Sequence, residues 1–325
     1  MPTKINMDLD FEKEEFIDFL EKENLTFDGC DEAYAIREDG KIVATGAYKG
    51  NVLKLFAVLE EKREEGYIPK IVTFLKDLLF KKGITETFIF TKPEYKNVFT
   101  SLFYTELAST DKMLLLTDNI KAYEDWIQSI RELGDFNACV VMNANPFTKG
   151  HRYLAETAAR EITNIIVFVV EEEKSFFDFK TRYKMVEKGL EDIWLQVAPG
   201  GKFIISETTF PSYFLKKSDD ISREFAKLDA DLFVGRIAKD LGLKFRYVGE
   251  EPNDELTSSY NDALIERAKD TNLKIRVVPR KEIDGEPISA SFVREHLTNM
   301  EEVKKYLPQT TIEILEKGGA FDDRN

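Results

Sequence analysis

The sequence Ala138-Cys-Val-Val-Met-Asn-Ala-Asn-Pro-Phe-Thr-Lys-Gly-His151 joins an apolar run to a polar loop and the start of a helix. Similar short apolar runs follow along the chain, with segments of helical period between them. These runs cover residues 165–170, 203–206, 245–248 and 273–278. Strands that alternate with helices imply a parallel sheet, and a continuous apolar run is typical of a strand buried on both faces. The second half of the chain is therefore predicted to be an α/β domain.

The amino-terminal part of the chain has a different pattern. Residues 14–23 predict a helix with one apolar stripe, and three strands follow at residues 33–37, 41–48 and 52–58. Asp39-Gly40 and Lys49-Gly50-Asn51 supply the hairpin turns between these strands. A helix over residues 67–80 and a strand over residues 87–90 complete a smaller α+β domain that ends near Thr117.

These patterns divide the 325 residues into two domains. Residues 1–118 form the smaller domain, residues 119–136 form a linker helix, and residues 137–325 form the parallel-sheet domain. Gly134 follows the linker helix in the position that a helix C-terminus favours. A chain of this length is long enough to build two buried cores.

The composition is that of a globular protein, with 43% hydrophobic and 33% charged residues. A net charge of -14 repels phosphate backbones and anionic lipid headgroups, so neither nucleic acid nor a membrane is expected as a partner. The longest apolar run, residues 165–170, is too short to span a bilayer, and the amino terminus carries no apolar secretion segment. Cys30 and Cys139 form no ligand cluster, which argues against a structural metal site and fits a cytoplasmic location.

The loop after the first strand of the second domain, residues 143–151, is placed for phosphate binding. Ligands of open parallel sheets bind beyond the carboxyl ends of the strands, where the next helix offers free N–H groups and the positive end of its dipole. Gly150 lets phosphate approach the backbone, while Lys149, His151 and Arg152 supply donors for a pentacoordinate α-phosphorus and a departing pyrophosphate. Taken alone, a Gly-His pair is more often an ordinary helix start.

A second motif, Ile288-Ser-Ala-Ser-Phe-Val-Arg294, follows the last predicted strand and opens another helix. Ser289, Ser291 and Arg294 form a second cradle for polyphosphate on the same edge of the sheet. By itself such a motif is more often explained by helix capping by a serine and a solvated arginine. The two motifs together favour nucleotide binding.

The pair Thr148-x-Gly-His151 and Ile288-Ser-x-Ser-x-x-Arg294 resembles the signature of the nucleotidyltransferase superfamily, whose fold is a Rossmann-like parallel sheet. The resemblance implies that His151, Ser289, Ser291 and Arg294 contact ATP, and that His151 stabilises the transition state of attack on the α-phosphorus. Thr148 stands where many members of the superfamily have a first histidine.

Longer motifs narrow the resemblance to the [citrate (pro-3S)-lyase] ligase family. They are residues 143–154, 170–176, 210–216 and 247–252 and the pair Tyr260-Asn261. Members of this family also carry an amino-terminal domain of the GNAT acetyltransferase type, which the helix, the meander and Arg63-x-x-Gly66 resemble. Ile68 occupies a position at which working acyl-CoA loops have a small residue, and this argues against acetyl-CoA catalysis by that domain.

The resemblance implies an ATP-dependent ligase that acetylates the thiol of the citrate lyase prosthetic group through acetyl-adenylate and yields AMP and pyrophosphate. It implies ATP and Mg²⁺ as cofactors. Acetate and the citrate lyase acyl carrier subunit, with its dephospho-coenzyme-A-like arm, would be the partners, and the amino-terminal domain is a candidate dock for that arm. Two alternatives stay open: an adenylyltransferase that moves AMP onto phosphopantetheine or a mononucleotide, and a nucleotide-binding regulator without catalysis.

The candidate site residues fall into two groups. The expected catalytic residues are His151, Lys149 and Arg294. The expected nucleotide contacts are Asn143, Asn145, Pro146, Phe147, Thr148, Gly150, Arg152, Gly249, Ile288, Ser289 and Ser291. Arg182 and Lys216 are further candidates for contact with acid or phosphate, although each is equally expected to be a solvated side chain. Cys139 is expected to be buried in the first strand of the second domain.

Overall fold

The computed structural model describes residues 1–172, 175–204, 211, 213–215, 221–250 and 255–317. The chain folds into two units. The first comprises Met1–Glu124 and Phe210–Leu232, and the second comprises Asp125–Thr209 and Phe233–Asn325. Each unit is built on a sheet of its own, and helix α4 (Ile120–Leu133) carries the chain from the first unit into the second.

The first unit contains a seven-stranded sheet. Its strands are β1 (Thr3–Ile5), β2 (Glu32–Glu38), β3 (Lys41–Lys49), β4 (Val52–Val58), β5 (Phe88–Thr91), β6 (Thr105–Ser109) and β7 (Leu114–Thr117). Its helices are α1 (Asp10–Lys22), α2 (Tyr67–Lys81), α3 (Lys96–Thr100) and α7 (Ile221–Leu232), with 3₁₀ turns at Glu60–Glu65 and Pro93–Tyr95. The strand order is β1-β2-β3-β4-β5-β7-β6, in which β4 and β5 are parallel and the other neighbours are antiparallel.

The predicted antiparallel meander is confirmed as strands β2, β3 and β4. The apolar stripe of α2 is buried, since Ile71, Leu75 and Leu79 are fully inaccessible and pack in the core of this unit. A helix, an antiparallel meander and a second helix over a mixed sheet are consistent with the GNAT-like type expected for this part of the chain.

The chain returns to the first unit from within the region that the sequence analysis assigned to a single domain, residues 137–325. Tyr213 is buried and donates to the Phe90 carbonyl oxygen at 2.8 Å, while its own carbonyl oxygen accepts from the Thr26 N–H at 2.8 Å. Helix α7 packs on β6 of the same unit. The periodicity of residues 221–232 shows that one face is buried but not which sheet covers it, so this return was not predicted.

The second unit contains a five-stranded, wholly parallel sheet. Its strands are β8 (Ala138–Met142), β9 (Ile165–Val169), β10 (Gln196–Pro199), β11 (Phe245–Gly249) and β12 (Lys274–Val278), followed by a hairpin of β13 (Glu282–Ile283) and β14 (Glu286–Pro287). Its helices are α5 (Lys149–Glu161), α6 (Phe179–Gly189), α8 (Ala238–Asp240), α9 (Glu255–Ala268), α10 (Ala290–Glu295), α11 (Met300–Val303) and α12 (Gln309–Lys317), with a π-helical turn at Phe233–Ile237 and a 3₁₀ turn at Lys304–Tyr306.

The strand order of this sheet is β10-β9-β8-β11-β12. The first strand therefore lies in the centre, and the chain builds outward to β10 before it crosses β8 to start β11 on the other side. The predicted parallel α/β fold is confirmed. Such a reversal leaves a crevice at the carboxyl ends of the central strands, which is where ligands bind in open α/β sheets.

One predicted strand is displaced along the chain. The third strand of the parallel sheet is Gln196–Pro199, whereas Phe203 and Ile204 lie in a turn, and residues 205 and 206 are outside the described ranges. The strand lies at the edge of the sheet, where a proline without an N–H is tolerated. Phe203 instead packs against Trp126, with ring centroids 5.7 Å apart. Gln196 and Pro199 interrupt the apolar pattern, and this is why the sequence signal fell on the wrong segment.

The central strands carry the core of the second unit. Every residue of Ile165–Val169 is buried, and Cys139 is fully inaccessible in β8, as expected. Burial raises the pKa of the Cys139 thiol to about 12. Among the described helices, none combines the length and the apolar character that crossing a membrane requires.

We expect Cys139 to resist alkylation in the folded protein, because the thiol is both inaccessible and protonated at neutral pH. In a Cys30→Ser variant, iodoacetamide at pH 8 should modify the remaining thiol rapidly in urea and at least 100-fold more slowly in buffer, which is roughly the contrast expected for opening of a stable core. Mass spectrometry over several hours measures both rates. Similar rates in urea and in buffer would show that β8 is not buried.

Candidate active site

A cleft of about 410 Å³ lies at the carboxyl ends of β8, β11 and β12. It is lined, among others, by Met142, Thr148, His151, Gly249, Arg280 and Ser291. The cleft thus occupies the crevice that the strand order predicts, and it brings both sequence motifs to one place. The expectation that the two motifs share one edge of the sheet holds in the structure.

The first motif forms a capping box at the start of α5. Thr148 is the N-cap residue, and its Oγ1 accepts a hydrogen bond from the His151 N–H at 3.4 Å. In return, the Thr148 N–H donates to Nδ1 of His151 at 3.0 Å, and Oγ1 of Thr148 lies 2.9 Å from the same nitrogen. This box is one form of the Ser/Thr-x-x-Glu/Gln pattern, with histidine as the fourth residue. The loop therefore fixes the orientation of the His151 ring.

The state of His151 follows from these contacts. Because a backbone N–H can only donate, Nδ1 must accept, and the neutral ring then carries its proton on Nε2. Enclosure of the ring by protein lowers the pKa of His151 to about 4, and the charge of Arg280 acts in the same direction. His151 is thus a neutral hydrogen-bond donor at pH 7, with Nε2–H available on the side of the ring away from Thr148.

The second motif meets the first at Gly150. A Cβ added to Gly150 would lie 3.5 Å from Cβ of Ile288, an ordinary contact distance, so the two motifs lie side by side at this position. Ser289 caps α10 by accepting from the Phe292 N–H at 3.2 Å. Arg294 donates to the Asn145 carbonyl oxygen at 2.5 Å and to Oγ of Ser291 at 2.9 Å. The guanidinium therefore links the second motif directly to the first loop.

Several predicted contacts are directed away from the cleft. Nζ of Lys149 donates to the Lys305 carbonyl oxygen at 2.8 Å. Arg152 forms a bidentate pair with Asp192, at 2.9 and 2.7 Å, and also binds Glu156. Neither cation lines the cleft, and Arg294 is also absent from its lining but is bonded to Ser291, which does line it. The long side chains of Lys149 and Arg152 point along the outer side of α5. The sequence motif shows that cations are present at these positions but not the direction of their side chains.

Phe147 and Pro146 shape the loop. Phe147 is fully buried, and its ring packs so closely on α6 that a Cβ on Gly189 would lie 2.6 Å from Cδ1 of the ring. The Asn145–Pro146 peptide bond is cis. Phe147 also stacks on His151, with ring centroids 5.9 Å apart and planes inclined by 21°. These residues are placed to support His151 from the core.

Asn143, Asn145 and Gly249 take positions at the ends of the central strands. Asn143 and Gly249 line the cleft, and the Gly249 carbonyl oxygen accepts from the side chain of Asn261 at 2.9 Å. Oδ1 of Asn145 accepts from the Phe177 N–H at 3.1 Å. Asn145 therefore holds two segments to the motif loop, one through its side chain and one through its carbonyl oxygen. Lys216 lies outside the described residues.

The cleft is also lined by three cations that were not predicted from the sequence: Arg246, Arg280 and Lys281. Glu250 is the one acidic residue among the described lining residues. Nε of Arg280 donates to the Glu250 carbonyl oxygen at 3.0 Å, and burial lowers the pKa of this guanidinium. Arg280 and Lys281 follow the carboxyl end of β12. Because ligands of parallel sheets bind at the carboxyl ends of strands, these two residues could have been predicted from the sequence as cleft residues.

The part of the sequence that forms the cleft matches a known protein family. Residues 137–315 match the family model described as the citrate lyase ligase C-terminal domain. The [citrate [pro-3S]-lyase] ligase of Haemophilus influenzae is 34% identical over 318 residues, which cover 93% of this chain and 95% of that protein. The ligase of the same name from Escherichia coli is 33% identical over 93% of this chain and 90% of its own length. The chain belongs to the [citrate (pro-3S)-lyase] ligase family. It is therefore a member of a family of enzymes, as expected.

Two solved structures overlap with part of this ligase-family chain. Thermotoga maritima TmcAL bound with alpha-thio ATP covers 55% of this chain and 55% of its own, with 14% identity and a TM-score of 0.37. Plasmodium falciparum nicotinic acid mononucleotide adenylyltransferase complexed with APC covers 57% of this chain and 98% of its own, with 16% identity and a TM-score of 0.35.

Arg182 has a structural role in this ligase-family chain. It is fully buried in α6. Its Nη1 donates to the carbonyl oxygen and Oδ1 of Asn143, each at 2.7 Å, and to the Val170 carbonyl oxygen at 2.8 Å. Nε and Nη2 donate to the carbonyl oxygens of Phe177 and Glu172, each at 3.1 Å. One guanidinium thus joins the carboxyl ends of β8 and β9 and the start of α6.

We expect Arg182→Lys to lower the free energy of unfolding of the second unit by about 2 kcal/mol or more, because an ammonium group cannot reach acceptors on all these segments and leaves buried carbonyl groups unpaired. Tryptophan fluorescence in urea measures the change, since Trp126 and Trp194 both lie in this unit. The matched control is Lys184→Arg at an exposed position of the same helix, which should change stability by less than about 0.5 kcal/mol. Equal urea midpoints of unfolding for the two variants would show that Arg182 does not stabilise the second unit in this way.

The low pKa of His151 predicts a dependence of stability on pH. The unfolded chain takes up a proton on this side chain near pH 6.5, whereas the folded chain does so near pH 4. As the pH falls from 6.5 towards 4, protonation therefore favours the unfolded state. Through His151, the free energy of unfolding falls by about 1.4 kcal/mol for each pH unit in this range. The difference in stability between the natural chain and His151→Asn should change by this slope from pH 6.5 to 4.5. A His151→Asn curve parallel to that of the natural chain would contradict the lowered pKa.

Proposed function

We propose that the chain is an ATP-dependent ligase that acetylates the thiol of the citrate lyase prosthetic group through acetyl-adenylate, with AMP and pyrophosphate as products. The family relationship supports the overall reaction. The chemistry of the cleft supports the adenylate route, and the residues that fit ATP are described below.

The observation that carries the proposal is the hydrogen bonding of His151. Its Nδ1 accepts from the Thr148 N–H at 3.0 Å, so the protein's own contacts orient the ring, and no described residue accepts a hydrogen bond from Nε2–H. A neutral donor strengthens its hydrogen bond as negative charge develops on the α-phosphate oxygens in the transition state. It also does not attract pyrophosphate as a full charge would, which favours release of the leaving group.

The second motif fits the polyphosphate. Arg294 is held by Asn145 and Ser291, so its guanidinium already faces the loop of the first motif. Among the described residues that line it, the cleft contributes the three cations Arg246, Arg280 and Lys281 and one carboxylate, that of Glu250. A chain with a net charge of -14 thus presents a locally positive cleft, which is what an anionic nucleotide needs in order to enter. Lys149 and Arg152, expected as direct phosphate ligands, are proposed instead to support α5 from outside the cleft.

The reaction requires two displacements. An oxygen of acetate attacks the α-phosphorus, the bond to the bridging oxygen of pyrophosphate breaks, and pyrophosphate leaves with the electron pair. The thiolate sulfur of the prosthetic group then attacks the acetyl carbon, the bond between that carbon and the phosphate oxygen breaks, and AMP leaves. The thiol proton passes to solvent. His151 and Arg294 act in the first step, in which charge accumulates on the α-phosphate.

Mg²⁺ is proposed to enter with ATP. Within the part of the chain that the structure describes, no cluster of three His, Cys, Asp or Glu side chains is suited to a metal. Mg²⁺ is commonly held by substrate phosphates and water with few protein ligands, and its role is to offset charge on the phosphate oxygens. We place the reaction in the cytoplasm, where the free thiols of Cys30 and Cys139 remain reduced.

ATP–pyrophosphate isotope exchange tests the proposed function. With Mg²⁺ and acetate, label from pyrophosphate should enter ATP, because acetyl-adenylate formation is reversible on the enzyme. Phosphopantetheine and a mononucleotide are tested separately as acceptors. Exchange with a phosphate acceptor and none with acetate would make the chain an adenylyltransferase, and no exchange with any acceptor would favour a nucleotide-binding regulator.

We expect His151→Ala to reduce acetate-dependent exchange by roughly 10²-fold or more, the usual effect of removing one preorganised donor from a transition state. His296→Ala is the matched control, since it removes the second histidine of the chain, which stacks on Phe292 outside the cleft lining. Circular dichroism and tryptophan fluorescence confirm that both variants are folded. A folded His151→Ala variant with full exchange would exclude His151 from the reaction.

A further inference from the structure

Helix α6 exposes a row of lysines next to the active-site region. Lys180, Lys184 and Lys188 recur every four residues and therefore share one face of the helix, over a length of about 12 Å. All three are exposed, whereas Arg182 and Met185 on the opposite face are buried. Lys317, at the end of α12, lines the same groove of about 520 Å³ between α6 and α12. We refer to Lys180, Lys184, Lys188 and Lys317 as the basic strip.

The basic strip is continuous with the cleft. A groove of about 360 Å³, lined by Lys149, Arg152 and Lys281 among others, lies between them. Lys281 lines both this groove and the cleft, and Thr310 lines both this groove and the one along the basic strip. Lys149 and Lys281 therefore place positive charge between the cleft and the basic strip, whereas Arg152 in the same groove is paired with Glu156 and Asp192.

The strip is not explained by local stability. Like charges four residues apart destabilise a helix. Lys188 pairs with Glu191 at 2.9 Å, but Lys180 and Lys184 make no ion pair with any described residue. The remaining acidic residue lining this groove is Glu313. In a chain with a net charge of -14, a row of lysines in which Lys180 and Lys184 have no ion pair with a described residue is unusual and points to a negatively charged partner.

The geometry indicates the kind of partner. A small anion needs several donors that converge on one point, whereas these lysines are spread along a line and none is buried. An extended single-stranded nucleic acid site would include aromatic side chains for stacking, and the described residues that line the two grooves include none. Charges spaced about 6 Å apart along a helix match acidic side chains four residues apart on a second helix.

We propose that the basic strip docks an acidic face of the protein that carries the acceptor thiol. This inference rests on the proposed function, in which the thiol arrives on a separate protein and must reach the acetyl group in the cleft. Docking on α6 holds that carrier close to the cleft through exposed charges. Such contacts act mainly on the association rate and weaken with ionic strength.

The test uses the full-length chain and purified citrate lyase with its prosthetic group in the free thiol form. The variant Lys180→Glu/Lys184→Glu/Lys188→Glu reverses the strip. The variant Lys239→Glu/Lys269→Glu/Lys274→Glu is the matched control, because it changes the net charge equally at exposed positions of the second unit outside both grooves and the cleft. Acetate-dependent ATP–pyrophosphate exchange measures the first step without the carrier. Acetyl transfer at 50 and 300 mM salt, and direct binding to immobilised citrate lyase, measure docking.

We expect all three proteins to exchange at equal rates. The strip variant should lose at least 10-fold in kcat/KM for acetyl transfer and in affinity for citrate lyase at 50 mM salt, and the control should lose less than 2-fold. Transfer by the natural chain should fall at 300 mM salt, whereas transfer by the strip variant should change little.

Other outcomes would overturn the docking site. Equal losses in both variants would show an effect of net charge alone, and unchanged transfer by the strip variant would exclude this surface. Tight binding of RNA by the natural chain that only the strip variant loses, with acetyl transfer intact, would assign the strip to a nucleic acid. Exchange without any binding to citrate lyase would reject the docking site while acetate activation stands. Absence of exchange in the natural chain would instead reject the proposed function.

Discussion

The buried guanidinium of Arg182 is the contact on which the active-site loop depends. Its donors bind carbonyl oxygens on three segments, namely those that follow β8 and β9 and the one that precedes α6. Two of these segments follow the central strands β8 and β9, so the guanidinium sets where the chain leaves the sheet. Asn145 then adds a second connection to the segment before α6 through Phe177. The protein's own contacts consequently hold the loop between β8 and α5 in place.

Because this loop is held in place, the neutral side chain of His151 has a fixed orientation. The capping box aligns Nδ1 of His151 with the Thr148 N–H, and Phe147 supports the ring from the core. A charged imidazole in the same place would repel Arg280 and would need solvation that the site does not provide, which is why the pKa of His151 is lowered to about 4. The packing around the first turn of α5 therefore determines both the orientation and the charge state of His151. The threonine in place of a first histidine contributes to this, because it acts as an N-cap.

The sequence predicted what depends on local pattern and residue type. The continuous apolar run of β9, the meander of β2 to β4 and the meeting of the Gly150 and Ser291 loops were all predicted. The failures have two causes. Pro199 and Gln196 interrupt the local apolar pattern, and this hid an edge strand. Tyr213 packs on the other unit from the one its position suggests, and Arg182, predicted to be either a candidate ligand or a solvated side chain, is a buried connector. These last two depend on contacts between residues distant in sequence, for which periodicity and composition carry no signal. Lys149 and Arg152 illustrate the same limit, since a motif identifies a cation but not the direction of a long side chain.

The positive side chains of the second unit differ in how firmly they are held, and this difference separates two kinds of recognition. Arg294 is fixed by Asn145 and Ser291, so its position is set to within the tolerance of a hydrogen bond, which a reaction at one phosphorus atom requires. Lys180 and Lys184 are exposed, and no described residue pairs with them, so they impose a charge but no geometry. Exposed charges of this kind affect how often a partner arrives, whereas fixed donors affect what happens after arrival. Because salt screens the first effect much more than the second, the proposed acetyl transfer to a docked carrier should depend on ionic strength, whereas the proposed adenylate formation within the cleft should do so far less. On these proposals the two half-reactions use separate parts of one positive surface, and a strongly acidic chain could then attract both a nucleotide and an acidic protein.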